Sequence, residues 1–397
     1  MTVQPRTSDL TREELLARAD ALVAVLRERA AYAEELRRVP EDTIRDFQEA
    51  GLFKAMQPAR WGGHEVEPGA FYEAVVRIAS GCVSSGWVLS VVGVHAWHMA
   101  LFPLEAQQEV WGKDTSTLVA SSYAPIGKVT KVEGGFRVTG TWSFSSGCDY
   151  CDWVLTGCIV PDPERPERRQ GYTLLLPRSD YKIIDNWQVL GLLGSGSKAF
   201  QVEDAFVPDH RSLSTRDVRK LDAPGLKANE SPVYRMPQMN VFLYAVSTPA
   251  IGAARGMLDN FVEQGRKRVA APNSPFSRDL HALKRIGLAA NNLQAAESRL
   301  RSDFDEMLRR AEAGDSFPFE ARARFRAGAA YCLGTSLEGI DALFEAAGGF
   351  SIQRDNPLQR IFRDSHAMRA HAANNVDRAT ETYGKVLLGL DDPEVII

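Results

Sequence analysis

The sequence is short of several features that would assign a protein to a class. It has five cysteines in 397 residues, an odd number that provides no framework of paired disulfides and indicates a reducing cytoplasm. Its formal net charge is −4, with no block of basic residues. Nucleic acid and anionic membrane surfaces are therefore not the partners we expect.

The sequence also lacks a hydrophobic run that would cross a membrane comfortably. The longest run, from Gly86 to Phe102, contains His95 and His98 and is too short for a typical span. A segment that is apolar nearly all round predicts a buried helix, and its polar side chains then need hydrogen-bond partners or a ligand. The polar, acidic start of the chain predicts no signal peptide.

Nucleotide and metal motifs are missing as well. Neither the glycine-rich dinucleotide fingerprint nor the P-loop pattern occurs, so nothing in the sequence predicts NAD(P)H binding. Cys148 and Cys151 form a lone CxxC, without a second pair at zinc spacing. We expect these cysteines to pack in the interior, and we expect no metal site.

What the sequence does have is a periodicity that changes twice. Helical spacing of apolar residues up to about residue 117 gives way to strand-forming residues over 118–215, with a hairpin signal at Gly134-Gly135. Residues 216–233 are polar and predict a linker. Helical patterns then fill 234–397, as four long helices: Pro237–Val269, Ser277–Ala313, Glu320–Ala347 and Leu358–Gly389. The pattern predicts an α+β protein, mainly α, with an N-terminal helical domain (1–117), a β domain (118–215) and a C-terminal four-helix bundle.

The stretch from Ile361 to Asn375 contains His366 and His371, two of seven histidines. On an unbroken helix, residues five apart point about 140° away from each other, so only one of them can face a given cleft. A neutral imidazole accepts or donates a proton near pH 7, which makes such a histidine a candidate base. The alternative is a hydrogen-bonded structural histidine.

Serines and aromatic residues alternate over residues 141–147, at a strand end that runs into a turn. Their hydroxyls and N–H groups suit a bound ligand, or simply a solvated turn. Because Trp142 and Phe144 are two apart, we expect them on one face, against a ligand or the core.

Two other polar clusters are ambiguous. Ser121, Ser122 and Tyr123 precede the hairpin and are compatible with a plain turn. Arg266, Lys267 and Arg268 end a predicted helix, where they suit phosphate oxygens or the helix dipole.

In the order of its predicted domains and in its motifs, the chain resembles the acyl-CoA dehydrogenase superfamily. Within that superfamily it resembles the oxygenase subunits of two-component flavin-dependent (group D) aromatic monooxygenases. The resemblance covers about residues 10–390. It is carried by five stretches: RWGG at 60–63, SGWVLSVVGVHAWHMALF at 85–102, GTWSFSSGCDYCDWV at 140–154, GLLGSGSKAFQVEDAFVP at 191–208 and RDSHAMRAHAANN at 363–375.

The resemblance implies roles for individual residues. It places His371, His95 and Ser121 at the substrate hydroxyl, and Ser146 near the flavin N5 atom, so these four are the expected catalytic residues. It implies that Gly348 and Gly349 approach the flavin of a neighbouring subunit. The full set of expected cofactor-binding residues is Tyr123, Trp142, Ser145, Ser146, Ser195, Ser197, Arg266, Arg268, Gly348 and Gly349.

The resemblance also implies the reaction. Reduced FMN or FAD, supplied by a separate NAD(P)H:flavin reductase, reacts with O2 to form a C4a-hydroperoxide, which hydroxylates a phenolic or indole-type ring. A homotetramer is implied too.

Three alternatives compete with this hypothesis. Acyl-CoA dehydrogenases carry a catalytic glutamate near residue 371, where this chain reads His-Ala-Ala-Asn. An N-oxygenase of an amino sugar would use the same fold. A scaffold without chemistry is disfavoured by Ser146 and His371 at matching positions.

Overall fold

The computed structural model describes residues 10–161, 167–269 and 275–390. Its first part is helical. α1 begins at a capping box, in which Thr11 and Glu14 satisfy each other's backbone N–H groups. The helices of this part are α1 (Arg12–Leu36), α2 (Glu41–Glu49), α3 (Pro68–Gly81), α4 (Val83–Met99) and α5 (Leu104–Trp111).

α4 lies at the centre of this part because its sequence is apolar on nearly every face. It approaches α3 closely at Gly86, where an added Cβ would lie 2.4 Å from the Ala79 side chain. The buried helix predicted from the apolar run is therefore present, and the few polar side chains on it become the starting point of the candidate site.

The described strands all lie between Val119 and Ser214, inside the predicted interval. They form two four-stranded sheets, ordered β1-β4-β5-β8 and β2-β3-β7-β6. The predicted hairpin is present between β2 and β3, and Gly134 occupies its turn with φ of 73°. The strands are β1 (Val119–Ser122), β2 (Lys128–Val132), β3 (Gly135–Ser145), β4 (Trp153–Pro161), β5 (Arg169–Pro177), β6 (Tyr181–Ile184), β7 (Lys198–Pro208) and β8 (Ser212–Ser214).

The prediction that Trp142 and Phe144 lie on one face of β3 is wrong. The pairing of β3 with β7 shifts register between Trp142 and Ser145, and Phe144 takes a left-handed φ of 66°. Such a bulge changes which face a side chain points to. Trp142 therefore packs in the core, stacked on Phe200, whereas Phe144 is 71% exposed.

The C-terminal part is helical, as predicted. The predicted linker, 216–233, overlaps a short helix, α6 (Thr215–Arg219), and two 3-10 turns, and its residues Leu226 and Val233 are buried. The division into domains stays a prediction. The helices that follow are α7 (Gln238–Val269), α8 (Leu280–Ala313), α9 (Phe319–Ala347), α10 (Pro357–Arg369) and α11 (Val376–Leu387).

The prediction of one continuous helix over Leu358–Gly389 is wrong. α10 ends at Arg369, a 3-10 turn covers Ala372–Asn374, and α11 starts at Val376. The side chains of His371 and Asn375 accept backbone N–H bonds from Ala373 and Arg378, which stabilises two new starts instead of a continuous helix. The angular argument for His366 and His371 therefore does not apply.

α7 forms the middle of the C-terminal part. Among the described residues it is the one helix whose length and hydropathy would allow a membrane crossing, yet 83% of that stretch is buried inside the protein. It packs on α3 at two glycines: an added Cβ on Gly252 or Gly256 would lie 2.5 or 2.6 Å from a backbone carbonyl of α3. A core helix of this kind needs no membrane to cover it.

Candidate active site

α4 presents two polar clusters along one side. Trp87 and His95 are eight residues apart, which is about 12 Å along the axis and about 80° around it. The Trp87 indole N–H donates to Ser146 Oγ at 2.9 Å. His95 Nδ1 lies 2.6 Å from the carbonyl oxygen of Val119 on β1. α4 thus hydrogen-bonds both the residue that follows β3 and the first residue of β1.

Ser146 belongs to a buried chain of three serines. Ser195 Oγ lies 2.7 Å from the Leu192 carbonyl, to which it must donate because a carbonyl only accepts. Ser197 must then donate to Ser195 at 2.7 Å, and Ser146 to Ser197 at 2.6 Å. Since Trp87 also donates to Ser146, the Ser146 hydroxyl keeps one free lone pair. It can accept one further hydrogen bond and donate none.

His371 lies beside this chain. Its ring centroid is 6.0 Å from that of Trp87, at an interplanar angle of 64°. Part of its side chain is exposed to solvent, and the protein atoms packed around the rest lower its pKa by desolvation. Nδ1 accepts the Ala373 N–H at 3.2 Å, so the neutral ring carries its hydrogen on Nε2. Neutral His371 is therefore a hydrogen-bond donor at Nε2.

His95 has the opposite tautomer. Its Nδ1–H must donate to the Val119 carbonyl, which leaves a lone pair on Nε2. The side chain is buried, and desolvation lowers its pKa to about 4. His95 is therefore neutral at pH 7, and its Nε2 is an acceptor.

Behind His95 lies an aromatic cluster that contains a second buried histidine. His98 Nδ1 is 2.9 Å from the Tyr123 hydroxyl, and His98 Nε2 is 2.8 Å from Gln238 on α7. Burial raises the pKa of the Tyr123 phenol, and the nearby Ser121 side chain opposes that increase. The Phe242 ring lies 5.1 Å from His98 and 5.5 Å from Tyr123, so the cluster is walled by aromatic surface.

We expect acidification to destabilise the protein through these two histidines. Desolvation lowers the pKa of His95 from 6.5 to about 4 and that of His98 to about 3, so below pH 6.5 the unfolded chain binds protons that the folded chain excludes. Their contribution to stability is complete above pH 6.5 and falls, by about 1.4 kcal/mol per pH unit for each histidine, as the pH drops toward 4. Urea unfolding at several pH values measures this slope. His98→Gln should make it shallower, and the exposed His281→Gln should not; equal slopes in all three proteins would contradict the assignment.

The remaining predicted site residues fall into three environments. Trp142 lies in the core and donates to the Ala124 carbonyl, and Ser145 is fully buried with a hydroxyl that has no partner among the described residues. Arg266 is exposed near the end of α7, and the side chain of Arg268 lies outside the described part. Gly348, with φ of 72°, and Gly349 border open space. Their cofactor contacts stay predictions.

The site residues predicted from the sequence did not include Trp87, His98, Gln238 or Phe242. A signal existed for the first two, because an indole and an imidazole in a buried helix require partners. Those partners, Ser146 and Tyr123, come from distant strands, which spacing along α4 does not reveal.

The residues fit a reduced flavin. Ser146 offers a lone pair to one N–H donor, as N5–H of a reduced flavin requires, and the exposed ring of Phe144, two residues earlier in the chain, offers an aromatic surface. The free Ser145 hydroxyl is a further polar atom in need of a partner.

Comparison with known proteins agrees with this fit. The acyl-CoA dehydrogenase N-terminal domain family matches residues 11–117, and the acyl-CoA dehydrogenase C-terminal domain family matches residues 244–376. The flavin-dependent monooxygenase oxygenase subunit HsaA of Rhodococcus jostii (strain RHA1) is 43% identical, over 96% of this chain and 100% of the relative. The oxygenase component of an FADH2-dependent resorcinol hydroxylase from Rhizobium sp. (strain MTP-10005) is 33% identical, over 95% of this chain and 94% of the relative.

A solved structure supports the same grouping. The 3-HSA hydroxylase from Rhodococcus sp. RHA1 superposes with a TM-score of 0.93 and 43% identity, over 96% of this chain and 98% of that chain. The resemblance drawn from the five motifs and the α+β, mainly α, fold class are confirmed. The chain therefore belongs to the family of flavin-dependent monooxygenase oxygenase subunits, which is built on the acyl-CoA dehydrogenase fold.

Proposed function

We propose that this protein is the oxygenase component of a two-component monooxygenase that hydroxylates a phenolic or indole-type aromatic ring with reduced flavin and O2. The observation that carries the proposal is the arrangement against α4. Ser146, which can only accept a further hydrogen bond, and His371, which donates, both meet Trp87 of α4, and His95 of the same helix accepts. Reduced flavin, when bound, would supply two electrons to O2, of which one oxygen atom enters the ring and the other leaves as water.

The two histidines divide the handling of the substrate proton. His95 Nε2 accepts the hydrogen of the ring hydroxyl or indole N–H, because its Nδ1–H is committed to Val119. His371 Nε2–H donates to the substrate oxygen and stabilises the negative charge that develops there. Ser121, beside Tyr123, orients the hydroxyl. An aromatic ring whose hydroxyl group is partly deprotonated is more electron-rich. It therefore attacks an electrophilic oxygen atom more readily.

Ser146 acts on the flavin side. Its free lone pair would accept N5–H of a bound reduced flavin, while Trp87 and Ser197 occupy its other bonds. The indole of Trp87 also contacts His371, so it separates the flavin-facing serine from the substrate-facing histidine with apolar surface. This surface excludes water, which would otherwise favour release of hydrogen peroxide.

The proposal is tested by supplying photoreduced FMN or FAD, O2 and a panel of phenols, indoles and amino sugars, and by identifying products by mass. Incorporation of one oxygen into a phenol or indole is the expected result. NADH alone should give no product, since the sequence has no nicotinamide motif and the electrons come from a separate reductase. Oxygen incorporation only into an amino sugar nitrogen, or oxidation of NADH without a reductase, would overturn it. Running both flavins decides between FMN and FAD.

We also propose a homotetramer in the cytoplasm. Apolar side chains are exposed on the C-terminal helices and the turn between α9 and α10, a surface that a second subunit would bury. They are Leu280, Leu283, Leu288, Phe350, Ile352, Leu387 and Leu388. The turn also carries Gly348 and Gly349, and all five cysteines are free, as a reducing compartment requires.

Light scattering of the purified protein at micromolar concentration should give the mass of four chains. Leu388→Glu places a charge on the exposed apolar surface and should shift the mass downward, whereas Ile126→Glu, an exposed apolar residue in the β region, should not. A monomer in the unsubstituted protein would contradict the proposal.

A further inference from the structure

The chain of serines ends on a loop that is held between three helices. The Arg363 guanidinium on α10 donates to the Leu190 carbonyl at 2.7 Å, and a Cβ on Gly191 would lie 2.1 Å from the Arg363 carbonyl. Gly194 meets Ser84 of α4 and Ala33 of α1, where a Cβ would lie 3.0 and 3.1 Å from their side chains. The loop from Leu190 to Ser197 therefore has little freedom to shift.

Leu192 is the strained residue of this loop. It has a left-handed backbone, φ 58° and ψ 28°, a conformation that is strained for any residue other than glycine. Its carbonyl accepts from Ser195 at 2.7 Å and from the Trp187 indole at 3.0 Å. Its N–H donates to Asp364 Oδ1 at 2.6 Å. The Ser195 backbone N–H also donates to the Leu192 carbonyl, at 3.0 Å, so four hydrogen bonds fix the direction of the carbonyl on which the serine chain depends.

Asp364 is committed to this loop. It is 4% exposed, and its other oxygen accepts from Ser84 Oγ at 3.2 Å. The neighbouring Arg360 and Arg363 pair with Glu34 of α1 instead, at 2.9 and 2.6 Å. Burial raises the pKa of Asp364 to about 6. Burying a carboxylate without a direct ion pair costs free energy of folding. The two hydrogen bonds of Asp364 therefore indicate why a carboxylate is present at this position.

We infer that Asp364 is a positioning residue of the oxygenation site. Its hydrogen bond from the Leu192 N–H fixes the direction of donation along the chain, from Ser146 to Ser197 to Ser195. The Ser146 lone pair thereby stays aimed at the flavin N5–H. The inference rests on the proposed function and extends it to a residue that touches neither flavin nor substrate. Without the Asp364 bond, Leu192 can leave the left-handed conformation, its carbonyl turns, and Ser195 loses the acceptor that sets the polarity of the chain.

The first measurement needs no flavin. Amide hydrogen exchange over residues 190–197 of the flavin-free protein should be at least about tenfold faster in Asp364→Ala, because the Leu192 N–H loses its partner. Asp364→Asn keeps an oxygen that can accept from Leu192 and should stay within about twofold of the unsubstituted protein. Asn as defective as Ala would overturn the inference, because an acceptor at this position would then not suffice.

The second measurement follows hydrogen peroxide in a single turnover without substrate, with protein in excess over photoreduced FMN. Asp364→Ala should release peroxide about three- to tenfold faster, the effect of one misaligned hydrogen bond. In the Ser146→Ala background the same substitution should add less than about twofold, since the two act in series. Additive effects would show that Asp364 acts by another route, and would overturn the inference.

Asp303→Asn is the matched control. Asp303 is equally buried, on α8, and is hydrogen-bonded to Tyr244 and Arg299 instead of to the loop. It should lower thermal stability without changing loop exchange or peroxide release. Faster exchange in Asp364→Ala with unchanged peroxide release would overturn the inference while the proposed function stands. If no aromatic is hydroxylated, the exchange data still decide whether Asp364 holds the loop.

Discussion

His371→Ala should lower the rate of aromatic hydroxylation by about 10²-fold while reduced flavin still binds. The substitution removes the Nε2–H donor, and the substrate oxygen then develops its charge without that partner. Single-turnover product formation, with flavin binding titrated separately, is the measurement. Reduced flavin should still be oxidised in the variant, and the O2 consumed should then be released as hydrogen peroxide instead of entering the product.

Two control variants separate chemistry from structure. His371→Asn keeps an acceptor for the Ala373 N–H, and hence the turn, but has no group at the Nε2 position; it should lose as much product as alanine. His366→Ala removes a histidine whose Nε2 lies 3.0 Å from Asp341 on α9, and should change product by less than about threefold. Near-normal product from His371→Asn would mean that only the turn matters.

The fold could be predicted from periodicity wherever a single face is buried. α7, α8 and α9 begin within three residues of their predicted starts and end at the predicted residues. The break after Arg369 could not be predicted from apolar spacing, because it depends on two side chains, His371 and Asn375, that bond to their own backbone. The bulge at Phe144 was likewise hidden, since an alternating pattern assumes a regular strand.

The site divides in the same way. The residue types came from motifs: serines at a strand end, and histidines in or near apolar segments. Their hydrogen-bond directions could not come from the sequence, because each depends on a carbonyl supplied from elsewhere, Val119 for His95 and Leu192 for Ser195. These carbonyls determine that His95 accepts and that Ser146 donates to Ser197, and the Ala373 N–H determines that His371 donates from Nε2. The structure thereby changes the predicted role of His371 from general base to hydrogen-bond donor, and this role stays a prediction until the variants are measured.

Ser146→Ala should release hydrogen peroxide roughly tenfold faster in the absence of substrate, and should give less hydroxylated product in its presence. The Ser146 hydroxyl stands at the end of the serine chain with a lone pair free for N5–H, and it is buried, so its loss is not replaced easily by water. Little packing is lost with one oxygen atom, so the fold should persist.

Stopped-flow detection of peroxide, with protein in excess over reduced FMN, measures the effect of Ser146→Ala. Ser197→Ala gives an intermediate case. Ser146 keeps the Trp87 bond, but its hydrogen loses a fixed acceptor, and release should be about threefold faster. Ser122→Ala is the control, because that hydroxyl donates to the Ser143 carbonyl at 2.7 Å and belongs to neither cluster. Release from Ser146→Ala at the rate of the unsubstituted protein would remove Ser146 from the flavin site, and with it the reason for the polarity of the serine chain.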